Sequence, residues 1–529
     1  MEKIATDIYT FEELRKKGFT YVDKTAVIWP LVNESIGKQF FIARPRRFGK
    51  SLLISTLRAL FEGKRELFQG LAIEPKWDWS KKWPVIHLDL GSCQAETVEG
   101  LWDKIRGLLQ REAERHGVVL REKTSVANQF MFLIGDVIAA ADRRAKATDS
   151  AAAVEQVVLL VDEYDKPILG HLSQPDVTAF RNALKEFYSV IKTMESAQRF
   201  TFITGISKFS KVSIFSDLNN LKDRTMTASE ATLLGYTHAE LKTNFPGLLA
   251  HIGEVNGKDA VWAFNEVVAW YNGYRFEENA EKVINPVSFG LCAEEGKFQN
   301  YWSNTALTTF LIEALKRRPL NFAKIGIDQR TLEAYEPENP QLTTLLSQTG
   351  YLTIGGFRQM SGMRKFDLVI PNREVENSFL TALMPIYTGV PDDGLVNYQF
   401  EAAEALYDGD VEKFVKALKC FFANIPYNLT DRQNEQMWQA IVYVVLKLIG
   451  TSVTAEVMTN DGRIDMVCDA PSGIYLIEFK LDRPAEEALA QIDQNDYSAK
   501  YDFSGKEIVK IGISFSAEQR TITEVKVRS

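Results

Sequence analysis

A chain of 529 residues exceeds one ordinary domain, and at roughly 150 residues per domain three or four are expected. Its 45% hydrophobic, 25% charged and 11% aromatic content is that of a globular protein and excludes a disordered polypeptide. A net charge of -8 argues against a nucleic-acid coat protein, although the first 70 residues run the other way, with thirteen Lys and Arg against eight Asp and Glu.

The N-terminal "MEKIATDIYTFEELRKKGF" lacks an apolar signal core, and runs such as "AIVYVVLKLIG" fall short of about 18 residues, so no leader or membrane span is expected. Near-continuous apolar runs come next, "QFFIARP", "WPVIHLDLG", "EQVVLLVDE" and "RFTFITGIS", separated by long amphipathic stretches. That alternation predicts a parallel sheet covered by helices on both faces, a three-layer α/β domain over residues 1–230. From "LLGYTHAELKTNF" to "FLIEALKRRP" the pattern is helical; "LLSQTGYLTI" and "KFDLVIPNREV" then give two strand-like runs around a "GGFRQMSGM" loop, completing a helical, winged lid over 231–385. The Gly, Pro and Asp of "YTGVPDDGLVN" predict a linker, and residues 386–529 a third domain with a hairpin at "TAEVMTNDGRIDMVCDA", a strand at "GIYLIEFKLD" and a helix at "PAEEALAQIDQNDYSAKY". Cys93, Cys292, Cys420 and Cys468 are scattered without a CxxC pair, which fits a reducing cytoplasm and suggests neither disulfides nor zinc.

In "FIARPRRFGKSLLISTLRAL" a strand passes through an arginine-crowded loop into a helix. Gly49, Lys50 and Ser51 match the end of G-x-x-x-x-G-K-[ST], with Arg44 at the opening glycine position. Such a loop aims backbone N–H groups and a helix N-terminus at phosphate oxygens; Gly49 permits close approach, Lys50 reaches the β/γ-phosphates and Ser51 meets Mg²⁺. An ATP cradle is therefore expected from Arg44, Arg46, Arg47, Phe48, Gly49, Lys50, Ser51 and Leu52, the three arginines offsetting nucleotide charge. For Arg46 and Arg47 a solvated basic loop or a nucleic-acid contact stays open as the alternative. In "VVLLVDEYD" an apolar run ends in Asp162, expected to hold Mg²⁺ through water, and Glu163, expected to orient the water that attacks the γ-phosphate. Thr204 and Ser207 close "FTFITGIS", and either is placed to sense the γ-phosphate, although threonine is also an ordinary strand residue.

The second constellation lies in "TNDGRIDMVCD", where Asp461-Gly462 signals a tight hairpin and Asp465 comes next on the returning strand. In "GIYLIEFK" the period of two puts Glu478 and Lys480 on one face. If the two strands are neighbours, Asp465, Glu478 and Lys480 converge as equipment for phosphodiester hydrolysis: two carboxylates for a divalent cation and a lysine for the attacking water. Glu435 on a preceding helix is a candidate third carboxylate, and Gln491 and Tyr497 are candidates to flank the site from a following helix. On spacing alone the alternative is a half-exposed hairpin with a Glu/Lys pair.

These residues, with "YVDKT", "RPRRFGKSLL", "VVLLVDEYDKP", "FTFITGISKFSKVSIFSDLNNL", "LGYTHAEL", "WYNGYRF", "NYWSNT", "TGYLTI", "IPNREV", "FFANIPY", "GRIDMV" and "IYLIEFKLD", resemble the bacterial and archaeal family of AAA-like ATPases fused to a C-terminal nuclease-like domain of the PD-(D/E)XK superfamily. The resemblance covers nearly the whole chain. It implies a P-loop NTPase domain, a helical lid with winged-helix character and a restriction-endonuclease-like α/β domain. It places Lys50, Ser51, Asp162 and Glu163 in the ATPase motifs, Asp465, Glu478 and Lys480 in the nuclease motifs, Glu435 at the superfamily's first-helix acid, and Tyr21 and Asp23 near the base. The arginine at position 44 reads as a family habit compatible with ATP binding. The resulting expectation is an ATP- and Mg²⁺-dependent nuclease acting on DNA, with RNA the alternative, and by analogy a homo-oligomer. The rival is a regulatory ATPase whose nuclease-like domain only binds a partner, consistent with eleven basic against sixteen acidic residues over 431–529.

Overall fold

The computed structural model describes residues 2–147, 153–210, 214–215, 218–302, 325–388, 396–423, 442–444, 446–447, 452–459, 462–501, 504–519 and 521–528. The chain divides into two compact units, one of residues 1–301 with 326–374 and one of 302–325 with 375–529. No described helix is long and apolar enough to cross a membrane.

In the first unit the four apolar runs become strands β1 (Gln39–Ala43), β2 (Val85–Asp89), β3 (Val157–Asp162) and β4 (Gln198–Gly205), and a two-residue β5 (Lys222–Asp223) completes a parallel sheet in the order β2-β3-β4-β1-β5. Every residue of β1 and β3 is buried, because helices cover both faces of the sheet and leave no wet side to alternate with. At about 1.5–3 kcal/mol per fully buried large apolar side chain, this unbroken stripe is the main reason the sheet forms. The register aligns Asp89 with Asp162, Val161 with Ile203 and Ala43 with Gly205, so the carboxyl ends of β1 to β4 finish at one edge. The helix Lys50–Phe61 starts at that edge and buries Leu53, Ile54, Leu57, Leu60 and Phe61.

Helices His238–Asn244, Pro246–Val255, Ala260–Tyr271 and Pro286–Glu295 bring Leu241, Phe245, Leu249, Ile252, Val267, Tyr271 and Phe289 into a core of their own. Thr237 and Glu240 form a capping box at the first of these, and Lys24 of "YVDKT" pairs with Glu240 at 2.6 Å. Strands β6 (Ile325–Asp328), β7 (Thr353–Met360) and β8 (Met363–Val369) make a sheet in the order β6-β8-β7. Here the expected "GGFRQMSGM" loop is mostly strand: cross-strand pairs continue to Met360 opposite Met363, leaving only Ser361 and Gly362, both at positive φ, to turn the chain. The "LLSQT" before it is the end of a helix, Leu342–Thr349, closed by Gly350 in the left-handed region.

The second unit holds a mixed sheet in the order β13-β12-β11-β10-β9, from β9 (Ser452–Thr459), β10 (Gly462–Asp469), β11 (Ile474–Leu481), β12 (Ile508–Ser516) and β13 (Thr521–Arg528). Only the β11–β12 pair is parallel. The helix Ala485–Gln494 packs Leu489 and Ile492 against Ile464 and Leu476 of the sheet. Gly512 permits that approach, since any Cβ there would run into the carbonyl of Ala485. Asp461, Glu435 and most of the expected linker lie outside the described residues.

Candidate functional site

The carboxyl edge of the first sheet gathers the first constellation. Gly49 sits at φ 90° as the residue before the helix, and Arg47 at φ 67° bends the loop so that its backbone wraps the helix start. Lys50 is buried, its ammonium donating to the carbonyls of Arg44 at 3.0 Å and Pro45 at 2.8 Å; burial lowers its pKa, with Asp162 and Asp165 opposing. Ser51 hydrogen-bonds to the Asp162 carboxylate, whose pKa burial raises. Glu163 comes next at φ 48°, a left-handed conformation that is costly for glutamate. Its carboxylate is turned toward Gly91, where a Cβ would come within 3.2 Å of Oε2.

The three arginines separate. Arg44 is expected on phosphate, but the structure turns it inward: fully buried, it donates to the carbonyls of Ala43, Thr225 and Glu230 at 2.9, 2.7 and 3.1 Å and lies over Phe276, 4.1 Å from the ring centre. Burial brings its pKa down to about 9, with Asp223 and Glu230 opposing. At the position of the usual first glycine it braces the loop from behind, because three carbonyls there need a donor fork. Arg47 donates to the Tyr301 carbonyl at 2.6 Å. Arg46 is half-buried near Lys50 and makes no ion pair among the described residues. Phe48 is buried edge-on to Tyr274 and Phe276 at 4.8 and 5.4 Å, and Leu52 lies half-buried in the first helical turn.

Thr204 and Ser207 are both buried, with hydroxyls already engaged: Thr204 donates to Ile42 O at 2.7 Å, and Ser207 accepts from the Tyr335 hydroxyl at 2.9 Å. Tyr21 and Asp23 are also tied into the fold, the tyrosine hydroxyl to Thr56 and the carboxylate to the N–H groups of Thr25 and Ala72, each at 2.8 Å. Two acids escape sequence reasoning. Asp89 ends β2 level with Asp162, and its Oδ1 would lie 3.0 Å from a Cβ on the same Gly91 that faces Glu163. Asp165 is buried, its carboxyl pushed up to about 6 by burial, and it accepts from the N–H groups of Ile206 at 3.1 Å and Ser207 at 2.6 Å. The signals were present: "IHLDLG" ends a strand in Asp, and "DEYD" carries a third acid.

In the second unit Asp465 and Glu478 face each other where the β10–β11 ladder opens beyond the Met466–Ile477 pair. Each carboxylate accepts from the other strand's backbone: Glu478 Oε2 from Asp465 N–H at 3.2 Å, and Asp465 Oδ2 from Phe479 N–H at 2.9 Å. Glu478 is buried, and desolvation, then the Asp465 charge, raises its pKa well above the carboxylate range. Lys480 Nζ lies 3.5 Å from Glu478 Oε1 and donates to Gln491 Oε1 at 2.7 Å. Gln491 is therefore brought to the site, whereas Tyr497 is buried in the helix–sheet core and accepts from Asn495 at 2.8 Å. A buried carboxylate beside another is a hard oxygen pair short of positive charge, which fits a divalent cation. Among the described residues no group of three His, Cys, Asp or Glu gathers as a metal cage.

Residues 5–215 match a family described as "Predicted AAA-ATPase", and residues 433–525 match the PD-(D/E)XK nuclease superfamily. The chain is 34% identical to an "Uncharacterized protein in vnfD 5'region" of Azotobacter chroococcum mcd 1, over 100% of this chain and 99% of that protein. With both domain matches falling on the two constellations and a relative aligned end to end, the chain belongs to the family of AAA-like ATPases that carry a C-terminal PD-(D/E)XK nuclease superfamily domain.

Proposed function

We propose that this chain binds and hydrolyses ATP at the Arg46–Ser51 loop with Asp162 and Glu163, and that it cleaves DNA with a divalent cation at Asp465, Glu478 and Lys480, nucleotide state gating the cut. The observation that carries the nuclease half is the reciprocal carboxylate–backbone lock of Asp465 and Glu478, with Lys480 3.5 Å from the buried acid. An arrangement that only stabilised a hairpin would gain nothing from two acids side by side.

In the ATPase half, Lys50 exchanges two neutral carbonyls for charged phosphate oxygens, a stronger bond for a buried ammonium. Arg46, without an ion pair among the described residues, adds a cation, and Arg44 holds the loop's shape. Ser51 and Asp162 would hold Mg²⁺, and Glu163, fixed by its strained backbone, orients the attacking water. In the nuclease half Asp465 and Glu478 would hold the cation, while Lys480, steered by Gln491, stabilises or helps deprotonate the attacking water. The bound cations supply charge neutralisation and a more acidic water. Location in the cytoplasm and assembly into a homo-oligomer belong to the same proposal.

Purified protein incubated with plasmid and Mg²⁺ or Mn²⁺, with and without ATP, beside Glu478→Ala, tests the reading. Metal-dependent cutting that responds to ATP and disappears in the variant is expected. ATP turnover without cutting of any DNA or RNA would favour the regulatory ATPase.

A further inference from the structure

The β7–β8 hairpin has two unlike faces. In its register Phe357 pairs with Phe366 and Gln359 with Arg364, and the inner part of this side packs inward, Gln359 alone being exposed: the two rings lie 5.2 Å apart, and Arg364 covers Phe357 at 4.8 Å while bonding to Gln329 and Glu278. The opposite face carries Arg358 opposite Lys365 and, one rung further out, Met360 opposite Met363. These methionines are 73% and 71% exposed at a tip made by Ser361 and Gly362 alone. Arg358 and Lys365 share one acid, Asp367, at 2.9 and 3.3 Å, so the rung keeps a positive surplus.

Two features of this face are unfavourable in the free protein. Arg358 and Lys365 stand directly opposite each other with Asp367 as their one shared acid, so their repulsion is only partly offset. Two large apolar side chains sit in water at the most projecting point, and nothing among the described residues covers them. One occupant relieves both: a surface with regularly spaced negative charge and, between the charges, flat apolar steps. Duplex nucleic acid has that composition, with phosphates for the cations and base steps for soft, adaptable apolar wedges. A β-ribbon also has the width of a groove. Two methionines bury too little to hold a bilayer.

We infer that the Arg358, Met360, Met363, Lys365 face of this hairpin grips duplex DNA, an inference that rests on the DNA reading above and adds to it a contact that takes no part in the cleavage chemistry. The experiment is fluorescence anisotropy of a labelled duplex with the full chain carrying Glu478→Ala, in EDTA, over a range of salt. Arg358→Ala/Lys365→Ala is expected to weaken Kd about tenfold or more and to reduce the salt slope by about 2, one for each phosphate no longer neutralised. Met360→Ser/Met363→Ser is expected to weaken Kd while leaving that slope unchanged, and ATP hydrolysis without DNA should be untouched in both. If the parent chain binds duplex and both double variants bind it equally well, the hairpin assignment falls while the DNA reading stands. If the parent chain binds no duplex, both fall. Retention on anionic lipid vesicles that the same variants abolish, with duplex binding unchanged, would also overturn it.

Discussion

Lys50 illustrates how a single side chain can hold a charge in readiness. Buried among carbonyls, it has traded water for acceptors weaker than phosphate oxygens. Lys50→Ala is expected to cost about 1.5–3 kcal/mol of nucleotide binding, roughly a ten- to hundredfold rise in Kd by titration with a labelled ATP analogue. Glu163→Gln keeps its size and loses its basicity, so ATP binding should persist while steady-state hydrolysis slows by roughly 10²-fold. Glu478 supplies a pH signature. Without metal it keeps a proton in the folded chain up to about pH 7, whereas an unfolded glutamate gives it up near the ordinary value of 4.5. The folded state thus holds the extra proton across that window, and its stability falls as pH rises through it. In EDTA, Glu478→Gln should melt progressively above wild type between about pH 5 and 7, with Mg²⁺ narrowing the gap; a gap independent of pH would contradict this environment for Glu478.

At the scale of elements, the path from sequence to site is uneven, and particular residues say why. Strands β1 and β3 are legible because burial on both faces writes an unbroken apolar run, and Asp162 stands out by ending one. The shared face of Glu478 and Lys480 follows from strand periodicity. Arg44 is not legible in that way: its inward turn depends on carbonyls at Thr225 and Glu230, some 180 residues further along the chain. Gln491 is a helix residue like its neighbours until the phase of Ala485–Gln494 against β11 is known, and that phase depends on Gly512 in β12. Strands β12 and β13 left no expectation, although β12 carries a strand signal, with Val509, Ile511, Ile513 and Phe515 at every second position; in β13 the signal is weaker, because the bulge at Ser514 and Phe515 puts Ile522 out of step with Val525 and Val527. A test belongs here. Gly512→Val should lift that helix, lower stability by about 1–3 kcal/mol, and remove any nuclease activity through Gln491 and Lys480, while ATP turnover in the other unit continues. Loss of both activities in a folded variant would contradict this division.

Across the whole molecule, two units each bring carboxylates to one edge of a sheet. In one, parallel strands deliver Asp89 and Asp162 in register beside a loop of backbone N–H groups and a buried lysine. In the other, the forking of an antiparallel pair delivers Asp465 and Glu478 beside Lys480. Neither gathering stabilises its fold, since burial raises the pKa of Asp162 in the first and of Glu478 in the second. On the proposed function, each gathering holds a cation shared with phosphate oxygens. The most direct measurement is a Mn²⁺ titration followed by electron paramagnetic resonance, with a non-hydrolysable ATP analogue present, on wild type, Asp162→Asn and Glu478→Gln. Two classes of bound Mn²⁺ are expected, each variant losing one and keeping the other; a wild type that binds a single class, or variants that leave both intact, would contradict the account.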